Sequence, residues 1–185
     1  MRKPFHIYIF STFLLFFCSC GSKDKETQTP PQQEQNIDEV RSLSEYNFTD
    51  SLTQGSHRIV YTITRKPDDE LPIVVDEDGL KYKDNRYTLV ILKDGTTLFN
   101  KSFTKSDFRA MINKDFQKYA IMDGLRFDRA EDGKLLFNTS VSYPESDMSA
   151  PFILTIGPDG SHSIVPDTSI DEDVPAPTPV EDTTV

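Results

Sequence analysis

The stretch YTLVILKDGTTLFNKSF, residues 87–103, decides the fold class. Tyr87, Leu89 and Ile91 alternate with Thr88, Val90 and Leu92, a period of two that fits a strand. Both faces of this run carry aliphatic residues, which predicts an interior position in a sheet. Asp94-Gly95 follows, and such a pair between apolar runs is a strong signal for a tight hairpin. Beyond it, residues 98–103 resume the strand with Phe99 and Phe103 on one face.

The same alternation extends in both directions. Upstream, Ile59, Tyr61 and Ile63 alternate with Val60, Thr62 and Thr64, and a further strand near 45–52 turns at Gln54-Gly55. Downstream, Leu125 and Phe127 lead to the turn Glu131-Asp132-Gly133. Leu135, Phe137, Thr139, Val141 and Tyr143 form the next alternating run. Phe152, Leu154 and Ile156 precede the turn Gly157-Pro158-Asp159-Gly160, and Ile164 and Val165 close the series. One segment has a different period. Phe108, Met111, Ile112, Phe116 and Tyr119 make a single helical stripe. Thr104 or Ser106 can cap it, Asn113-Lys114-Asp115 marks a step where it can split, and Gly124 ends it. The expectation is a mainly β domain over 43–166. It is an antiparallel meander forming a small sandwich or a curled sheet, with one helix, about 105–119, packed on it.

The flanks read differently. Arg2 and Lys3 precede an apolar run over 5–17. Thirteen helical residues rise about 20 Å, short of a bilayer core of about 30 Å, so the run reads as an export signal over 1–19. The sequence Phe17-Cys18-Ser19-Cys20 resembles the lipobox of bacterial lipoproteins, in which a small residue precedes the lipidated Cys. Ser19 suits Cys20, whereas Phe17 is too bulky to precede Cys18 in that role. The resemblance therefore implies lipid on Cys20 and a membrane partner through that anchor, because several acyl chains hold a protein stably where one does not. Gly21-Ser22-Lys23-Asp24-Lys25-Glu26 resembles the charged segment of surface-exported lipoproteins of Bacteroidetes-type bacteria, which implies an outer-membrane anchor with display at the surface.

Residues 20–42 are rich in Gln, Glu, Lys and Thr, include Pro30-Pro31, and read as a tether with too little apolar surface to order itself. Residues 167–185 hold six acids, no base, and alternating Pro175, Pro177 and Pro179, and read as an acidic, Pro-rich disordered tail. That tail supplies −6 of the formal net charge of −10, while 43–166 carries only −4. With no basic cluster, nucleic acid is excluded as a partner.

Little catalytic chemistry is legible. The body has no Cys, and its two His, His57 and His162, fall at a strand start and just after a turn. No nucleophile elbow, phosphate loop or metalloprotease helix occurs. No catalytic residue and no cofactor is assigned. The run Asp76-Glu77-Asp78-Gly79 with Asp84-Asn85 offers Asp76, Asp78 and Asp84 as carboxylates for calcium. Val74 stands where an EF-hand would begin with Asp, so the run reads as a solvated Asp-Gly turn and no metal is assigned.

Tyr61-Thr62-Ile63-Thr64-Arg65-Lys66-Pro67, the 75–79 run, Asp84-Asn85, Phe103-Thr104-Lys105 with Phe108, and Ser142-Tyr143-Pro144 with Asp147 resemble a family of uncharacterised Bacteroidetes lipoproteins defined as a domain of unknown function. The resemblance spans roughly 43–165 and implies a location, not an activity. The functional expectation is a lipid-anchored envelope protein acting as a non-catalytic binding or structural module for a protein or glycan. The alternative is a small envelope hydrolase, for example glycan-directed, working through Asp and Glu carboxylates.

Overall fold

The computed structural model describes residues 38–169. The stretch read as a signal over 1–19, Cys20, the stretch read as a tether up to 37 and the stretch read as a tail from 170 lie outside the described residues. Within them the chain forms eleven strands: β1 (Val40–Arg41), β2 (Tyr46–Gln54), β3 (His57–Pro67), β4 (Val74–Val75), β5 (Lys81–Tyr82), β6 (Asn85–Lys93), β7 (Thr96–Phe103), β8 (Ile121–Glu131), β9 (Lys134–Ser142), β10 (Ser149–Ile156) and β11 (His162–Pro166). Two antiparallel four-stranded meanders result, in the orders β2-β3-β6-β7 and β11-β10-β9-β8. Their tight turns follow the residue chemistry. Asp94 and Gly95 take φ of 51° and 82°, and Asp132 and Gly133 take 49° and 78°, the left-handed pair that a twisted two-residue hairpin requires.

The sheets pack face to face as a sandwich. Ile59, Tyr61, Ile63, Tyr87, Leu89, Ile91, Phe99 and Phe103 from one sheet meet Leu125, Leu135, Phe137, Val141, Phe152, Leu154 and Ile156 from the other. Burying each such side chain contributes about 1.5–3 kcal/mol, so these alternating positions hold most of the fold together. Strand β6 is interior to its sheet, as its sequence predicts, but Val90 on its second face is only half-buried. That outer face is lined by hydroxyl pairs such as Thr49–Thr62 and Thr88–Ser102.

The expected helix over 105–119 is present in two pieces. Lys105–Phe108 is a 3-10 turn whose Asp107 carboxylate accepts the Thr104 N–H at 2.9 Å. Helix α1 (Lys114–Tyr119) starts afresh where Asn113, at ψ 159°, accepts the Phe116 N–H on its side chain. Asn competes with the helix interior by capping, which explains the break. The apolar stripe survives it: Phe108 is buried, and Met111, Ile112 and Phe116 pack on the core.

A third, small sheet, β1-β5-β4, lies beside α1. Strands β1 and β5 run parallel, and they are the one parallel pair among the described residues. Val40 and Arg41 fall inside the stretch read as tether. They join the fold because β5 offers a free edge and the Lys83 N–H donates to the Arg41 carbonyl at 2.9 Å. Short-range apolar content does not reveal such an attachment.

Candidate functional site

The start of β8 positions the site. Its pairing with β9 slips between Met122 and Gly124, leaving Asp123 as a bulge. Bulges re-aim side chains, and here three successive carbonyls of β8 are each taken by a hydroxyl from elsewhere. Tyr87 donates to Asp123 O at 2.6 Å, Thr139 to Gly124 O at 2.7 Å, and Tyr46 to Leu125 O at 3.3 Å. Gly124 is required by close approach, since a Cβ there would lie 2.3 Å from Ser140 Oγ. The Asp123 carboxylate accepts from Ser140 at 2.7 Å and from Ser142 at 3.0 Å, and Ser149 Oγ lies 2.8 Å beyond Ser142 Oγ. Burial pushes the Tyr87 phenol up to about 12, although Arg65 nearby works in the opposite direction, so Tyr87 remains a donor at neutral pH.

A second network holds the same strand from the core side. Asp84, read in sequence as part of an acidic run, is only 3% exposed. Its Oδ1 accepts the N–H groups of Met122 at 2.9 Å and Asn85 at 2.8 Å, and its Oδ2 lies 3.5 Å from Lys105 Nζ. Lys105 also donates to the Ala120 carbonyl, and Asn85 Nδ2 donates to the Met122 carbonyl at 2.8 Å. Burial raises the Asp84 pKa, with Lys105 and the two amides pulling the other way. The network pins β8 to β6, and thereby sets where the bulge falls.

Asp76 and Asp78 are elsewhere. Asp76 Oδ1 accepts the N–H groups of Asp78 at 3.0 Å and Leu80 at 2.8 Å, a local turn of the kind Asp forms. Asp84, turned inward onto Lys105, does not converge with them. Among the described residues no group of three or more metal-ligating side chains comes together. His57 pairs with Asp94 at 2.6 Å, and His162 lies 2.9 Å from Lys101; both are exposed, and neither lines the cleft described next.

Two concavities flank Arg65 and Asp123. One, of about 520 Å³, is lined by Tyr46, Arg126, Asn138, Ser140 and Asp167. The other, of about 430 Å³, is lined by Arg41, Tyr82, Lys83, Tyr143 and Glu145. Both volumes fall within the range of ligand sites, about 300–1,000 Å³. Arg65 is held between them by its bonds to Ser44 O at 2.9 Å and Ser44 Oγ at 3.3 Å, with its guanidinium 5.1 Å from the Tyr46 ring centre. On the far wall Arg41 pairs with Glu145 at 2.8 Å, and Glu145 sits at φ 55°, a left-handed conformation that costs about 1–3 kcal/mol. The Asn138 amide, in contrast, makes no hydrogen bond among the described residues. The cleft therefore offers a carboxylate, a guanidinium, an amide and a phenol ring around one concavity. The sequence carries no signal for this grouping, because its members come from β2, β3, β8 and β9 and from the chain just past β11.

No curated protein matches the chain. A family model described as Domain of unknown function (DUF4738) matches residues 23–164, three-quarters of the chain and nearly all of the described fold. The chain therefore belongs to this family of domains of unknown function.

Proposed function

We propose that this chain is a lipid-anchored cell-envelope protein whose sandwich is a non-catalytic binding module, taking a glycan in the cleft around Arg65 and Asp123. The observation that carries the ligand class is the set of planar polar groups beside an aromatic face. Asp123, Asn138 and Arg65 supply acceptors and donors, and Tyr46 supplies a ring within the same concavity. A hydroxyl-rich ligand presents donors and acceptors at every position and C–H faces that pack on a ring. The anchor rests on the signal over 1–19 and on Cys20, and the surface address on the resemblance to Bacteroidetes lipoproteins. No helix of the described residues is long and apolar enough to cross a membrane.

Calorimetry against a panel of oligosaccharides tests the ligand class. Binding that falls at least tenfold in Asn138→Ala and Arg65→Ala is the expected result. Absence of binding across the panel, or binding indifferent to both substitutions, rejects it. Labelling with a palmitate analogue tests the anchor: Cys20→Ala should abolish label and release the protein from membranes. The hydrolase alternative draws on one feature, the presence of Asp123 and Asp167 on the same concavity. Turnover of oligosaccharides that is lost in Asp167→Asn would favour it.

A further inference from the structure

The two open sides of the sandwich differ. Where β7 meets β11 the packing is close: a Cβ on Gly160 would lie 2.5 Å from the Leu98 carbonyl oxygen, and His162 packs edge-on against Phe99 and Phe103. Where β2 meets the β8–β9 hairpin, hydrogen bonds bridge the sheets only towards the two ends of β2 among the described residues. Tyr46 donates to Leu125 O, and Gln54 to Lys134 O at 3.4 Å. Between them runs a groove of about 410 Å³ lined by Tyr46, Phe48, Tyr61, Ile63, Arg126 and Phe127. Its floor is the stacked pair Tyr61–Phe127, with ring centres 5.0 Å apart. Phe48 on its wall is 47% exposed, and Arg126 on its rim has no ion-pair partner among the described residues.

We propose that this groove binds the chain's own C-terminal segment, with residues 174–180 on the aromatic floor and the acids of 171–173 beside Arg126. Four observations select this occupant. The first is position. Asp167 donates its N–H to Pro151 O at 3.0 Å and lines the concavity that also contains Tyr46 and Arg126, the two residues shared with the groove. The described chain therefore ends two residues beyond a side chain of the concavity that adjoins the groove. The second is reach. Residues 170–185 number sixteen, and an extended Pro-rich segment advances about 3.1 Å per residue, so a few residues fill the groove with length to spare. The third is charge. The segment has five acids and no base, and it would run past Arg126 and Arg65, neither of which has a carboxylate partner among the described residues.

The fourth is chemistry. Pro175, Pro177 and Pro179 have fixed φ and no N–H, so they leave few donors to satisfy on an apolar floor. Segments of this composition dock into aromatic-lined grooves in the polyproline conformation. A second copy pairing through β2 fits less well, because the fully overlapped two-fold register sets Asp50 against its own counterpart. The short connection from residue 169 gives an effective concentration of about 1 mM, enough to populate a contact too weak to form between separate molecules. Tyr46 and Arg126 line both the groove and the cleft, so the two readings are separated by Phe48, which lines only the groove, and Asn138, which lines only the cleft.

The test is paramagnetic relaxation in the full chain, with Cys18→Ser, Cys20→Ser and a nitroxide on Thr183→Cys. The expected result is selective broadening of the amide signals of Phe48, Tyr61, Arg126 and Phe127 that persists on dilution with unlabelled chain. Arg126→Glu and Phe48→Ser, both at exposed side chains, should remove most of that broadening while the far-ultraviolet spectrum stays unchanged. Uniform weak broadening, or broadening indifferent to both substitutions, overturns the proposal. Broadening that dilution abolishes also overturns it, and points to the tail of a second copy.

Discussion

Asp84→Ala is the most informative single substitution in the domain. It removes the acceptor of two buried N–H groups, those of Met122 and Asn85, and the counter-ion of Lys105, whose side chain is only 16% exposed. Each buried donor left unpaired costs about 1–3 kcal/mol, and breaking a buried ion pair from one side costs about 3–5 kcal/mol in total. Against a domain stability of about 5–15 kcal/mol, a loss of ~3–5 kcal/mol is a large fraction. Urea unfolding followed by circular dichroism should show a much lower midpoint with an unchanged slope. Asp84→Asn retains an acceptor oxygen and should cost roughly 1–2 kcal/mol. The pH dependence supplies a second readout. Burial raises the folded pKa of Asp84 above its unfolded value, so the folded domain keeps a proton that the unfolded chain releases. Ionised Asp84 thus costs stability that is absent below the unfolded pKa, and the cost develops as pH rises towards the folded pKa. Asp84→Asn should remove this contribution and leave the opposite one from Asp68, whose pKa is lowered by the Glu70 amide and Arg86. A loss below about 1 kcal/mol in Asp84→Ala would refute the view that this network fixes β8, since even one orphaned buried donor should exceed it.

Other expectations follow from the same geometry. Gly124→Ala drives a methyl group into Ser140 Oγ at 2.3 Å and should cost about 1–3 kcal/mol; the double variant with Ser140→Gly should recover most of it, and an unrescued loss would point to backbone conformation instead. In a spectrophotometric titration one tyrosine should ionise only near pH 12; because the Tyr87 pKa is raised, its ionisation destabilises the fold, and Tyr87→Phe should remove the late step. Calcium at a few millimolar should leave the melting temperature unchanged, since Asp76 already accepts two backbone amides and Asp84 faces Lys105; a rise of several degrees lost in Asp76→Ala would reverse that reading.

The strands and their turns were legible because their causes are local. Alternation in 59–64, 87–92 and 135–143 follows from the two-residue repeat of an extended backbone, and Asp94-Gly95 and Asp132-Gly133 are among the few pairs that accept positive φ twice in succession. The stripe from Phe108 to Tyr119 was legible as a period, and its interruption as a property of Asn113. The parallel attachment of Val40–Arg41 was not, because two residues carry no periodicity and the partners, Lys81 and Tyr82, lie far along the chain. Asp84 shows the limit most clearly. By composition it belongs to an acidic loop with Asp76 and Asp78, yet packing turns it inward to the amides of Met122 and Asn85, where desolvation and Lys105 decide its state. The cleft around Arg65 and Asp123 was equally hidden, since it exists only where two sheets meet and a slipped register turns Asp123 out of its ladder. Periodicity along the chain determined which faces are buried. The juxtaposition of distant polar groups was decided only by how the buried faces pack, because those groups gain nothing from one another until the sheets bring them together.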